Sequence, residues 1–193
     1  MNIRSTLARC VSDRSVALVG NARSLSSLSL GKEIDSCELV IRLNTAPNQK
    51  TGSHGARTSW IASSTLLSPR RLQALNPERL IWMSPRRRAL ALLAYGTLLP
   101  MSFYPSEWWH VLAAKLGGTR PSTGAMVIDL IVRLGGFSEL RLFGFDFFQS
   151  GSLSQRGLTS PPPHDFAREQ EYVSELLQSE PRITLVCGAT GCA

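Results

Sequence analysis

Short apolar runs recur along this chain, and several end in glycine or a polar residue. Residues 15–20 read S-V-A-L-V-G, residues 39–43 L-V-I-R-L and residues 79–83 R-L-I-W-M. Residues 140–145 and 182–187 repeat the pattern, and 58–62 is a weaker instance. Runs this short, rich in β-branched and aliphatic side chains, predict strands buried on both faces. Between them lie helical patterns. Residues 87–95 are rich in Ala and Leu, 106–116 are amphipathic and 122–134 are strongly apolar. Residues 165–178 carry Phe166, Tyr172, Val173, Leu176 and Leu177 among charges, a partial helical stripe. Strands alternating with helices predict an α/β, Rossmann-like single domain spanning 1–193, with a mainly parallel twisted sheet and helices on both faces. Residues 149–163 are rich in Gly, Ser and Pro and predict a mobile loop able to act as a lid.

In such a sheet ligands sit beyond the carboxyl ends of the strands. That directs attention to Gly20-Asn21, Leu43-Asn44, Ser63-Ser64, residues 144–146 and the turn before Ser122. Gly20 permits close backbone approach, although a single glycine is not the G-x-G-x-x-G fingerprint. Asn21 supplies both a donor and an acceptor, and an ordinary strand-to-helix turn accounts for the same residues. Asn44 closes a second strand on the same rim. Two asparagines there suit a neutral, directional grip on a sugar or phosphate, with an Asx turn as the local alternative. Ser122 or Thr123 is a good N-cap for the apolar helix, whose free N–H groups suit an anion. Gly124 allows close approach and Arg120 adds charge; a simply capped, buried helix is the other reading. Phe145 and Asp146 end another strand, and Asp146 either accepts from a ribose diol or caps its turn. His164 stands at or just before the start of a helix, where an imidazole can transfer a proton near neutral pH. Glu169, five residues on, either orients it or caps the helix.

Composition narrows the class. Hydrophobic residues make up 43 % and charged residues 18 %, a globular balance. No apolar run is long enough to span a bilayer, and the first residues lack the apolar stretch of a signal peptide, so the expectation is a cytoplasmic protein. Cysteines at 10, 37, 187 and 192 show no framework spacing, which favours reduced thiols. No His or Cys pair near Cys187 and Cys192 completes a metal site. The net charge of +7 draws on Arg70-Arg71 and Arg86-Arg87-Arg88. A basic surface suits nucleic acid, anionic lipid or a phosphorylated substrate, and equally a merely solvated face. Trp108-Trp109 near basic residues keeps open a non-catalytic module that binds RNA or anionic lipid.

The ordered set of motifs resembles the sialyltransferases. Gly20-Asn21, Gly31 to Asp35, Arg42 to Pro47 and Gly55 to Thr58 look like the large sialyl motif of glycosyltransferase family 29. Pro121 to Gly124 through Phe143-Gly144-Phe145 looks like the small motif, and His164 to Glu169 like the very small motif. Residues 144–152 are also similar to bacterial family 42, with Arg120 placed like an arginine of that family. The resemblance implies an inverting transfer of sialic acid, or a related ulosonic acid such as Kdo, from a CMP-sugar to a hydroxyl of a glycan acceptor. In it His164 is the base. Arg120 and the Ser122–Gly124 turn stabilise the leaving phosphate, and Asn21 and Asn44 hold phosphate and ribose. Ser63 and the backbone around Gly144 to Asp146, with Phe145, hold cytidine. No cofactor beyond the CMP-activated donor and no metal is expected, since no Asp-x-Asp motif occurs. Further expectations are a lipid-linked acceptor, peripheral contact with an anionic membrane surface and no specific nucleic acid. Two departures stand out. The family disulfide has no cysteine partner between 38 and 186, and the third, aromatic motif is replaced by 149–163, which lacks Tyr and His. A fold that keeps the nucleotide but has lost turnover is the remaining alternative.

Overall fold

The computed structural model describes residues 3–46, 50–86, 88–95, 97–147, 149–151, 153 and 164–186. The strands are β1 Ser15–Val19, β2 Leu39–Leu43, β3 Trp60–Ser63, β4 Arg79–Trp82, β5 Met101–Phe103, β6 Glu139–Phe143 and β7 Ile183–Val186. They form one seven-stranded sheet in the order β5-β4-β3-β2-β1-β6-β7, and every pairing is parallel. The chain winds outward from β1 to β5, then crosses back and resumes at β6 on the other side of β1. The expected α/β architecture therefore holds, with β5 added at one edge. The loop expected at 149–163 lies largely outside the described residues, as do Pro47, Cys187 and Cys192.

Side-chain alternation along the strands loads both faces with apolar groups. Val16, Leu18, Leu39, Ile41, Trp60, Ala62, Leu140 and Leu142 face one helical layer. It is built from α1 Ile3–Val11, α6 Ser106–Lys115, α7 Thr123–Leu134 and α8 Phe166–Ser179. Ala17, Val19, Val40, Phe143, Ile61 and Leu80 face the other. There lie a 3₁₀ turn at Arg23–Ser27 and the helices α2 Gly31–Ser36, α4 Pro69–Leu75 and α5 Arg88–Tyr95. Helix α7 is buried along most of its length, which is why its sequence is apolar nearly all round. Its one buried acid, Asp129, accepts from Tyr104 Oη (2.5 Å), Tyr172 Oη (3.2 Å) and Arg133 Nε (2.7 Å). A buried carboxylate satisfied this fully ties the segment between β5 and α6 to α7 and α8.

On the second face, several motif residues hold the backbone together. The Asp35 carboxylate at the end of α2 accepts from the backbone N–H of Ala56 (2.8 and 3.0 Å) and of Arg57 (2.9 Å). Arg57 returns bonds to the carbonyls of Asp35, Cys37 and Glu38. Gly31 is packed so tightly that a Cβ would lie 1.9 Å from the carbonyl oxygen of Thr51, at the start of α3 Thr51–His54. Arg42, 1 % exposed within β2, donates from Nε to the Arg57 carbonyl (2.8 Å) and to Thr58 Oγ1 (3.1 Å). Burial pushes its guanidinium down to about 10. Arg71, part of an apparent basic run, spends its guanidinium on the carbonyls of Thr45 and Ala46. Part of the sequence's positive charge is thus structural mortar and not an open basic face. Cys10 and Cys37 are free thiols, and burial raises the pKa of the Cys37 thiol.

Candidate active site

The sheet order reverses between β1 and β6, and there the strand ends part to open a crevice. A cavity of about 160 Å³ occupies it. Its floor is the pair of loops that leave β1 and β6. Gly20 N–H donates to the Phe143 carbonyl (2.7 Å) and Ala22 N–H to that of Gly144 (3.2 Å). The loops run backbone against backbone: a Cβ on Gly20 would lie 2.3 Å from the Gly144 oxygen. Gly144 itself has φ +67°, which favours glycine. Gly20 thus serves the approach of a second loop, and the two loops together line the cavity.

Three strand ends and a helix are then stitched along the rim. Asn21 Nδ2 donates to the Leu43 carbonyl (3.2 Å). Asn44, in the left-handed region at φ 51°, accepts on Oδ1 from the Ser64 N–H (3.1 Å). The Thr123 hydroxyl lies 2.8 Å from Ser64 Oγ and 3.4 Å from Asn44 Oδ1. The two asparagines and the Ser122–Gly124 turn, brought together by the sequence reading, do share one cavity. Ser63 does not. It is fully buried, and its hydroxyl donates to the Thr65 carbonyl (2.6 Å) and accepts from the Thr65 N–H (3.2 Å). The rim hydroxyl after β3 belongs to Ser64, because the strand runs one residue past the expected end at Ala62.

Ser122 caps α7, accepting on Oγ from the Ala125 N–H (3.1 Å). Glu169 then grips the same residue: Oε1 accepts from the Ser122 N–H and Oε2 from its hydroxyl, both at 2.7 Å. Burial raises the pKa of the Glu169 carboxyl, against the lowering effect of these two bonds. Thr123 and Gly124 line the cavity, and their N–H groups have no partner among the described residues. A Cβ on Gly124 would lie 3.1 Å from the Phe145 ring, so a larger residue here would press the ring back by a few tenths of an ångström. Asp146 also borders the cavity, yet its Oδ2 accepts from Ser24 Oγ (2.9 Å), Ser150 N (3.1 Å) and Ser150 Oγ. It performs the turn-capping role that the sequence left as an alternative to ribose binding.

His164 precedes α8, whose N-cap is Asp165. Its Nδ1 lies 2.8 Å from the Arg120 carbonyl. A carbonyl only accepts, so Nδ1 carries the proton and Nε2 presents a lone pair. Burial lowers the imidazole pKa; the carbonyl bond works against that, and the Arg120 charge adds to it. Two expectations change here. Glu169 does not bond His164 directly, since α8 starts only at Phe166 and its fourth residue turns inward to Ser122. Arg120 orients the imidazole through its backbone, while its side chain lines a second cavity of about 360 Å³ on the other side of His164. His164, Asn44 and Thr123 border both cavities. The sequence reading named Thr45 only within a motif and Arg86 only within a basic run, and it passed over Ser84, although the ends of β2 and β4 were available signals. Among the described residues no three His, Cys, Asp or Glu side chains stand close enough to hold a metal ion.

Known proteins can be compared with this geometry. The model of glycosyltransferase family 29 (sialyltransferase) matches residues 6–80. A mammalian sialyltransferase structure superposes with a TM-score of 0.67 at 21 % identity, over 96 % of this chain and 79 % of that one. A mammalian sialyltransferase in complex with Gal-beta-1-3GalNAc-ortho-nitrophenol gives 0.65 at 22 %, over 93 % and 71 %. The sialyltransferase CstII from Campylobacter jejuni, in complex with the substrate analogue CMP-3FNeuAc, gives 0.60 at 15 %, over 91 % and 82 %. Comparison with curated protein sequences gives no match. The chain thus resembles the sialyltransferases at two levels, matching family 29 in sequence over residues 6–80 and sharing the sialyltransferase fold along nearly its whole length.

Proposed function

We propose that the protein is an inverting, metal-independent glycosyltransferase that moves sialic acid, or a related ulosonic acid, from a CMP-sugar to a glycan hydroxyl. The observation that carries this reading is the position of His164: an imidazole with a free Nε2, on the border between a strand-rim cavity and a second cavity. CMP is assigned to the first cavity. The Gly144–Asp146 backbone and Phe145 take cytidine, and the Thr123 and Gly124 N–H groups, with the α7 dipole, take the phosphate. Asn21 and Asn44 complete the polar rim. CstII complexes with CMP and with CMP-3FNeuAc support a CMP-linked donor for this fold.

In the reaction the acceptor hydroxyl oxygen attacks the anomeric carbon from the face opposite CMP. The new C–O bond forms as the bond to the phosphate oxygen breaks, and CMP leaves with that electron pair. The hydroxyl proton passes to Nε2, and the Arg120 carbonyl stabilises the Nδ1–H of the resulting imidazolium. A single phosphate as leaving group needs few donors, which is the chemical case for turnover without a divalent cation.

Acceptor delivery from a membrane surface forms the second part of the proposal. No helix among the described residues is long and apolar enough to cross a membrane. Leu93 is nonetheless 85 % exposed and Leu98 61 %, and Leu90, Leu92 and Leu66 are exposed nearby. Tyr95 Oη bonds the backbone of Leu67, which pins the end of α5 to the loop carrying Leu66. Arg70 in α4 and Arg86 just before α5 are exposed as well. Leucines flanked by arginines suit an anionic bilayer surface. Trp108, one of the two tryptophans offered as an anchor, instead lies between the guanidiniums of Arg4 and Arg133.

His164→Ala, assayed for CMP release in EDTA, should lower kcat by about 10²–10⁴-fold while CMP binding persists; near wild-type turnover would remove His164 as the base. The wild-type kcat/KM should rise with pH through a limb below the ordinary histidine value of about 6.5 and stay level through neutrality, because the base acts unprotonated and its pKa is depressed. Arg120→Ala should move that limb upward, and an unmoved limb would contradict the electrostatic account of the imidazole. Sedimentation with vesicles containing phosphatidylglycerol should carry the wild type down, and Leu93→Glu should release it; equal recovery on neutral vesicles would refute the surface assignment.

A further inference from the structure

The second cavity differs from the first in the sign of its wall. Arg86 and Arg120 line it, and no Asp or Glu does among the described residues. Neither guanidinium has a partner among the described residues. Several other exposed arginines differ: Arg57 is bound to carbonyls, and Arg133 and Arg182 to carboxylates.

The two arginines are also presented from fixed backbone. Arg86 N–H donates to Ser84 Oγ (3.2 Å), and its carbonyl accepts from Trp82 Nε1 (3.1 Å). The Arg120 carbonyl is held by His164, and Ser122, two residues on, is held by Glu169. Two like charges facing one concavity repel each other, and an anion between them relieves that repulsion while accepting forked N–H bonds. The remaining wall suits a sugar. Trp109 is half-buried and offers an aromatic surface, and Ser64 and Thr45 supply hydroxyls.

We propose that this cavity binds the acceptor as an anionic sugar, one bearing a carboxylate or a phosphate, with Arg86 and Arg120 as the pair that determines specificity. The assignment rests on the reading of the first cavity as the donor site, since it places the acceptor hydroxyl on the far side of His164. It adds the charge of the acceptor, which that reading leaves open. Carboxylate and phosphate match the guanidinium fork alike, so the test separates them.

Calorimetric titrations distinguish the outcomes, run with and without CMP at low and high salt. The probes are the methyl glycoside of N-acetylneuraminic acid, galactose 6-phosphate and neutral methyl galactoside. At least one anionic probe should bind roughly tenfold tighter than the neutral one, as a charged hydrogen-bonded contact warrants, and less so at high salt. Arg86→Gln and Arg120→Gln should each remove most of that preference. A neutral sugar bound as tightly as both anions, binding of none of the three, or a preference that survives both substitutions would overturn the inference. CMP titrated in the same samples reports the donor reading separately: CMP binding without an anionic preference leaves that reading standing, and failure to bind CMP sinks it whatever the sugars do.

Discussion

Both oxygens of the Glu169 carboxylate are spent on Ser122, and the rest of the site follows from that grip. Ser122 is the cap of α7, so the bond fixes where that helix begins and where its free N–H groups lie. Glu169 belongs to the first turn of α8, so the same bond fixes the start of α8 and with it the residue just upstream, His164. The Arg120 carbonyl, two residues before Ser122, is thereby held in place to take the imidazole Nδ1–H. One buried carboxylate thus holds the start of α7 and the imidazole, the proposed phosphate site and base, relative to each other. It already bonds two donors, which suits a structural part better than a chemical one.

The sheet supplies the second constraint. Winding out from β1 and returning at β6 leaves adjacent strands whose connections diverge, and a crevice at their carboxyl ends is the geometric result. Glycine at 20 lets the two loops close its floor backbone to backbone, since a Cβ there would collide with the Gly144 carbonyl, and Gly144 supplies the positive φ beside Leu25. The first cavity presents N–H groups and amides, with its two carboxylates engaged elsewhere. The second is lined by Arg86 and Arg120, whose guanidiniums have no partner among the described residues. The imidazole between them meets a different chemistry on each side.

Much of this was legible in the sequence, and the departures have physical reasons. Buried parallel strands read as continuous apolar runs, so β1, β2, β4, β6 and β7 stand out. Met101–Phe103 is too short to give such a run, and it follows Pro100. Helix α4 was masked by its arginines, although Ser68 before Pro69 is a capping signal and Ser68 does cap it. The rim hydroxyl moved from Ser63 to Ser64 because β3, buried on both faces, runs through Ser63, and the first half-buried hydroxyl after it is that of Ser64. Arg120 was assigned by its charge, but it meets His164 through its carbonyl, which no side-chain motif encodes. Asp35 and Arg57, typical of the large sialyl motif, bind backbone and not the cavity. A motif mixes residues that build the fold with residues that line the site, and only geometry separates the two.

The account stands on cytidine monophosphate fitting the crevice between β1 and β6. Its most direct test is the melting temperature of the wild-type protein with saturating CMP, UMP, GMP or AMP. A ligand at about a hundred times its Kd adds ~2.7 kcal/mol, which for a domain of this size corresponds to about 5–10 °C. The account predicts a rise of that order with CMP and little or none with the other three. An equal rise with all four, or none with CMP, would contradict it.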